Sequence, residues 1–517
     1  MEIIDNKVLV ITTKRPHLVT ECITKSKIID SDGELHKVAV HWGLDEAQAL
    51  NKLNIKNVPS PILGDYKWPG VFPPMAHQKD TAAFLTLNQR PFCFNEQGTG
   101  KTASAIWAAD YLLNIGKIKR VLIICPLSIM QSAWQADLFK FAVHRRVGVA
   151  YGEKRKRQAV INNDADFIII NYDGIEIVAE DIARNKFDLI IIDEANAYKT
   201  PTTKRWKTLN RIITPNTWIW MMTGTPAAQS PTDAYGLAKM CVPEKVDRFF
   251  GSFRDRVMVN VSKFRWLPRP NADQIVFESL QPGIRFTKEE CLDLPEITHV
   301  FRDAPLTAQQ EKYYKLLKKE MLMVADGEEI STVNAATNLN KLLQISGGAV
   351  YSDTGAVIEF DVSNRLRVIQ EVIEEASHKV LVFVPFTHTI ELLKAHLRGA
   401  GITCEVINGA VPVHKRTEIF KDFQETENIK VLVIQPQAAA HGVTLTAANV
   451  IIWYSPVTSI ETYLQANARI DRQGQKNTMT VVHIKGSPVE TRLYGMLQNK
   501  LDVHKKIIDL YNNEINT

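Results

Sequence analysis

Residues 91–109, PFCFNEQGTGKTASAIWAA, join an apolar run to an alanine-rich one through a glycine-containing loop. Phe92 to Phe94 read as a strand. Gly98 and Gly100 let successive backbone N–H groups turn inward, and Lys101-Thr102 open a helix. A strand that passes through such a loop into a helix belongs to a layered α/β fold, and no other stretch constrains the chain as strongly. The loop has the composition of a phosphate cradle. A triphosphate is a cluster of anions, to which backbone amides and a helix N-terminus offer fixed positive dipole, Lys101 a mobile charge, and the Thr102 hydroxyl lends a ligand for Mg²⁺. The strict pattern begins with Gly, and Asn95 stands there in this chain.

Strand and helix patterns alternate on either side. Apolar runs at PFCFN (91–95), VLIICP (121–126), FIIINY (167–172), FDLIIIDE (187–194) and WIWMMTGT (218–225) are separated by helical stretches. Continuous Val/Ile/Leu runs predict a parallel sheet covered on both faces, with ligands at the carboxyl ends of its strands. A second series begins near residue 379 with KVLVFVPF (379–386), CEVING (404–409), KVLVIQPQ (430–437), NVIIWYS (449–455) and MTVVHIK (479–485). It has no second GxGKT, so two similar sheets are expected to share one nucleotide bound between them.

At 517 residues the chain exceeds what one core serves. The expected organisation is an accessory α/β module and linker over 1–70, a first parallel-sheet lobe with a helical extension over 71–298, a second lobe over 299–490, and a C-terminal helix over 491–517. That helix rests on the amphipathic run VETRLYGMLQNKLDVHKKIIDLY (489–511). Residues 226–355 between the two series read as mixed and more helical.

Lys+Arg number 62 against 57 Asp+Glu, a net charge of +5 that permits a polyanionic partner without demanding one. Six cysteines without a CxxC pair read as buried free thiols of a reducing compartment, not as zinc ligands or disulfides. The acidic start MEIIDNKVLV has no signal-peptide character, and no apolar run approaches membrane-spanning length. A cytoplasmic chain without membrane attachment is expected.

Within residues 1–70, His17, His36 and His41 lack metal-ligand spacing, and a Pro-rich exit follows, VPSPILGDYKWPGVFPP. The helix start MAHQKDTAAFLTL carries Gln78. Its amide suits an adenine edge, which accepts and donates together, but on the residues alone the expectation is a solvent-exposed helix face. Trp68 and Phe72 could stack on a base, but packing in the core or linker is the expectation for both. KRKR (154–157) reads as a solvated basic loop.

Asp193-Glu194 ends the run LIIID. Downstream of a phosphate loop, two such carboxylates suit a Mg²⁺ ligand (Asp193) and a group that polarises the attacking water (Glu194). Arg469 and Arg472 are three residues apart in SIETYLQANARIDR, which predicts one shared helical face. Planar guanidinium groups suit the charge on a transferring phosphoryl group.

These stretches occur together with HQ (77–78), QGTGKT (97–102), CPLSIMQSAW (125–134), NYDGI (171–175), DEAN (193–196), MTGTPAAQS (222–230), VLVFVPFTH (380–388), AAHGVTLTAANVIIWY (439–454) and QANARIDRQGQ (465–475). In that order, from about residue 72 to 485, they resemble helicase superfamily two and, within it, the SWI/SNF-like ATPases, in a form similar to compact bacterial or phage-type members. The resemblance implies two RecA-like lobes, ATP and Mg²⁺ as cofactors, and a DNA-dependent ATPase. It further implies that Gln78 contacts adenine, that Gly98, Thr99, Gly100, Lys101 and Thr102 hold the phosphates, and that Thr102 and Asp193 hold the metal beside Glu194. Thr223, Gly224 and Thr225 would couple the site to nucleic acid, Gly442, Thr444 and Thr446 would touch its backbone, and Arg469 and Arg472 would act as arginine fingers.

Asn196 stands where the family usually has His, His441 replaces a usual Gly, Asp471 a usual His and Gln229 a common Asn, while WYSPVTS lacks the Trp-Asn-Pro of chromatin remodellers. The expected function is a monomeric, ATP-dependent motor that moves along duplex or branched DNA with little sequence preference. A strand-separating or fork-regressing helicase, a nucleotide-gated interaction protein and the motor subunit of a defence assembly are the alternatives. Residues 1–70 are open between branched-DNA recognition and docking of a protein partner.

Overall fold

The structure, a computed structural model, describes residues 1–227, 230–262, 265–325, 332–351, 357–439 and 443–497. The chain divides into two compact units, Met1–Cys291 and one beginning at Leu292.

The first unit is built on a seven-stranded sheet in the order Gly283–Ile284, Phe92–Cys93, Trp218–Met222, Leu189–Asp193, Val121–Cys125, Phe167–Asn171, Val147–Ala150. Every pairing in it is parallel. The reason lies in the apolar runs: successive side chains of a strand point to opposite faces, and here both faces are covered. Ile190 and Ile192 join one core cluster with Phe92, Ile124 and Met221, whereas Leu189 and Ile191 join another with Ile123, Trp220 and Ala108. Each such aliphatic side chain contributes about 1.5–3 kcal/mol on burial.

Ahead of this sheet, Glu2–Ile4, Val8–Thr13, Leu35–His41 and Ser26–Asp32 form an antiparallel sheet in that order, packed on its own small core of Leu9, Ile11, Val38, Val40 and Leu50. The Pro-rich exit is no free linker. Tyr66 donates its hydroxyl proton to Asp110 Oδ2 at 2.6 Å, and Trp107 Nε1 donates to Pro69 O at 2.7 Å, which fastens the exit to the helix that follows the phosphate loop. Trp68 packs edge-on against Tyr66 and Trp107, while Phe72 is exposed.

KRKR departs from the solvated loop expected of it. It is the first turn of the helix Lys154–Ile161, and its last member, Arg157, is buried and donates to Ala150 O, Gly152 O and Asn171 Oδ1.

A six-stranded, all-parallel sheet carries the second unit: Ile297–Asp303, Met479–Lys485, Ala448–Trp453, Lys379–Phe383, Val431–Ile434, Cys404–Ile407. Among its ties is a buried ion pair of Arg365 with Glu490 at 2.8 Å. Residues 488–497 are helical, as expected of the closing run, whose remainder lies outside the described residues.

All six cysteines are free thiols. Cys93, Cys125, Cys241 and Cys404 are buried as expected, but Cys22 is exposed and Cys291 half-buried. No helix among the described residues is long and apolar enough to cross a membrane.

Candidate active site

Sheet order assembles the site. Phe92–Cys93, Trp218–Met222 and Leu189–Asp193 are neighbours, and the register sets Met222 against Cys93 on one side and Asp193 on the other. Strands lie about 4.8 Å apart, so the phosphate loop, the Thr223–Thr225 loop and the Asp193-Glu194 pair leave the sheet side by side at its carboxyl edge.

In the phosphate loop Gly98 and Gly100 have φ of 89° and 85°, the left-handed region that glycine enters without penalty. Gly100 is also required for space, since a Cβ there would lie 2.2 Å from Gln78 Nε2. It precedes the fourteen-residue helix Lys101–Asn114, whose N-terminus has no side-chain cap. First-turn amides left without a cap are the donors an anion needs. Thr99 is buried and donates its hydroxyl proton to Glu96 O at 2.8 Å. Lys101 Nζ folds over the loop to Asn95 O and Glu96 O, at 2.8 and 3.1 Å, and Thr102 is half-buried in the first helical turn.

Asn95 has a structural reason. Its Nδ2 donates to Thr81 Oγ1 at 2.8 Å and its Oδ1 accepts from Phe286 N at 3.0 Å, so one buried amide ties the loop to the preceding helix and to the neighbouring edge of the sheet. Gln78 is not on an exposed face. It is buried, its Oε1 accepts from Met75 N at 3.0 Å, and its Nε2 donates to Thr99 O at 3.2 Å. The amide thus lies against the phosphate loop.

Asp193 is buried, and its carboxylate accepts from Trp134 Nε1 at 2.8 Å and from Glu194 N at 3.0 Å. Burial raises its pKa above the ordinary carboxylate value, and the Trp134 bond and the Lys101 charge oppose the rise only in part. A desolvated carboxylate of this kind gains from a divalent cation. Mg²⁺ takes one or two protein oxygens and keeps waters and phosphates, which fits Thr102 and Asp193; no cluster of three or more His, Cys, Asp or Glu suited to a metal occurs among the described residues. When bound, Mg²⁺ would neutralise charge developing on the phosphates.

Glu194 has φ of 49°, strained for a side-chain-bearing residue, and Tyr172 holds the turn by donating to Asp193 O at 2.7 Å and Glu194 O at 3.3 Å. Burial beside these carboxylates keeps the Tyr172 phenol protonated. Asn196, which stands where the resembled family usually has His, donates to Thr225 O and Thr225 Oγ1. Thr223, Gly224 and Thr225 are all buried, and Thr223 N donates to Cys93 O at 3.0 Å.

In the second unit the shared helical face is overturned. The helix Ile460–Asn467 ends before either arginine, which follow it in a turn. Arg469 is 1% exposed and donates to Gln465 O and Val443 O at 2.9 and 3.2 Å. Arg472 is half-buried; its Nε donates to Ala468 O at 2.8 Å and its Nη1 to Thr444 Oγ1 at 3.4 Å. Thr444 is exposed, and Thr446 Oγ1 accepts from Gln424 Nε2 at 3.0 Å. Gly442, with His441 and Gln229, lies outside the described residues.

Comparison with known families matches residues 77–346 to the SNF2-related domain and residues 364–474 to the helicase conserved C-terminal domain. The chain belongs to the SNF2-related family.

Relatives of this SNF2-related chain include the mouse chromodomain-helicase-DNA-binding protein 1-like, 25% identical over 80% of the chain and 47% of that protein. Protein p41 of Acyrthosiphon pisum secondary endosymbiont phage 1 is 25% identical over 85% of the chain and 98% of its own length. A Sulfolobus solfataricus SWI2/SNF2 ATPase core solved with dsDNA aligns with 22% identity over 85% of this chain and 94% of that one, at a TM-score of 0.42. The chain spans about half the length of the mouse and zebrafish relatives it matches.

Sequence reasoning passed over Trp134 and Tyr172, although both lie in stretches quoted for the SNF2 resemblance; a Trp one helix away gives no sign that its N–H will meet a carboxylate. Arg285, a buried side chain that donates to Phe94 O and Gly224 O, carries no local signal either.

Proposed function

We propose that the protein is an ATP-dependent DNA translocase, its ATP hydrolysed at the Lys101 loop with Asp193 and Glu194 and driving movement along a phosphate backbone. The observation that carries this reading is the junction of three adjacent strand ends, where phosphate loop, carboxylate pair and Thr223–Thr225 loop are joined through Asn196 and through the register of Met222 with Asp193. Membership of the SNF2-related family supports it.

In this account Gln78 and residues 98–102 bind ATP, Thr102 and Asp193 hold Mg²⁺, and Glu194 orients the attacking water with its backbone fixed by Tyr172. Arg469 and Arg472 of the second unit serve hydrolysis. Thr444 and Thr446 contact the nucleic-acid backbone, so affinity is largely independent of sequence and weakens steeply with salt. Relatives from a phage and from Mycoplasma genitalium support a cytosolic setting.

The test is the rate of ATP hydrolysis with single-stranded, duplex, forked and four-way DNA at two salt concentrations, beside displacement of a third strand from a triplex. Stimulation by duplex, with the third strand displaced and the fork left annealed, is expected. A rate indifferent to every nucleic acid would refute the proposal.

A further inference from the structure

The phosphate loop and the Thr223–Thr225 loop lie close together: a Cβ placed on Gly224 would stand 3.4 Å from Gln97 Cγ and 3.5 Å from Asn95 O. One buried side chain spans both. Arg285 follows the edge strand Gly283–Ile284, is 2% exposed, and donates through Nη1 to Phe94 O, at the entry to the phosphate loop, and to Gly224 O at 3.4 Å. Its Nη2 pairs with Glu96 Oε1 at 2.9 Å, and Glu96 Oε2 accepts from Lys288 N at 3.0 Å. The guanidinium therefore addresses both loops at once with its charge matched by a carboxylate of one of them.

We propose that Arg285 is a positioning residue that transmits DNA engagement at the Thr223–Thr225 loop to the phosphate loop. The proposal rests on the translocase reading for the role of that loop. Physically, a planar fork can serve several acceptors in fixed directions, whereas an ammonium group is a single point of charge. Lysine at this position can neutralise Glu96 but cannot also hold Phe94 O and Gly224 O in the same geometry. A role confined to balancing the half-buried Glu96 charge would be rescued by lysine; a bridging role would not.

The experiment measures ATP turnover with and without duplex, and the affinity for a fluorescent ADP analogue, in the full chain carrying Arg285→Lys. The ratio of stimulated to unstimulated turnover is expected to fall at least tenfold, while nucleotide affinity stays within about threefold and the circular dichroism is unaltered. A folded Arg285→Lys protein stimulated as strongly as wild type overturns the inference alone. Wild-type protein indifferent to duplex overturns the translocase reading, and the inference with it. Should Arg285→Lys fail to fold, Glu96→Gln, which keeps the side-chain shape and weakens the guanidinium's anchor, is expected to lower the same ratio at least threefold, and an unchanged ratio there overturns the inference.

Discussion

Asn196 donates through Nδ2 to both the backbone oxygen and the hydroxyl of Thr225, at 2.9 and 3.1 Å. The contact links the strand end that carries Asp193 and Glu194 to the loop assigned to nucleic-acid coupling, so the replacement of the family's usual His leaves a physical connection in place. Asn196→Ala removes both bonds, each worth about 1 kcal/mol net, and should lower duplex-stimulated turnover about five- to thirtyfold with nucleotide affinity unchanged. Asn196→Asp sets a carboxylate against the Thr225 carbonyl and should be worse. Steady-state hydrolysis with and without duplex checks both.

The buried Asp193 carboxylate makes a prediction with a definite sign. Its folded pKa is raised, so the folded state holds the proton more tightly than the unfolded one, and stability is lost as pH rises through the interval between the ordinary value and the raised one. Asp193→Asn removes the buried charge and keeps an acceptor for Trp134 Nε1. The variant should therefore unfold at a higher temperature than wild type at pH 7 in the absence of Mg²⁺, with the advantage vanishing at acid pH, yet hydrolyse no ATP. Thermal denaturation across pH, read beside turnover, checks it.

Gly100 is constrained twice, by its φ of 85° and by Gln78. Gly100→Ala should cost about 1–2 kcal/mol in backbone strain, displace the Gln78 amide from Thr99 O, and weaken nucleotide binding at least about tenfold. Adding Gln78→Ala relieves the collision but not the strain, so affinity in the double variant should recover only in part. Titration with a fluorescent nucleotide gives both values.

Much of this was legible in the sequence because buried parallel strands announce themselves: VLIIC, FIIIN, LIIID and WIWMM became strands within a residue or two of their apolar bounds. The strands that went unseen are at or near sheet edges. Gly283–Ile284 is two residues long, and Ile297–Asp303 is mostly exposed, so neither has an apolar run to betray it. Motif chemistry was equally readable, since a glycine loop and a terminal carboxylate pair have local signatures. The supporting contacts were not. Trp134 to Asp193 and Arg285 to Gly224 join residues 59 and 61 positions apart, and nothing local marks either pairing. The helical face assigned to Arg469 and Arg472 failed because the helix stops at Asn467 and the chain turns.

Those two arginines should consequently behave differently. Arg469→Ala abandons two backbone carbonyls in a buried setting, so it should cost about 1–3 kcal/mol of stability in addition to lowering turnover. Arg472→Ala, at a half-buried position, should reduce kcat by about a hundredfold or more with nucleotide affinity and thermal midpoint nearly unchanged. Thermal melts paired with kcat and nucleotide Kd separate the two.

The account stands on ATP being cleaved at the loop that Lys101 closes over, and the most direct measurement is duplex-stimulated ATP hydrolysis by the Lys101→Ala chain against wild type. Removing Nζ from Asn95 O and Glu96 O leaves the sheet and its cores intact, so the variant should keep its circular dichroism while stimulated turnover falls to background. Turnover retained near the wild-type rate in the folded variant would contradict the account.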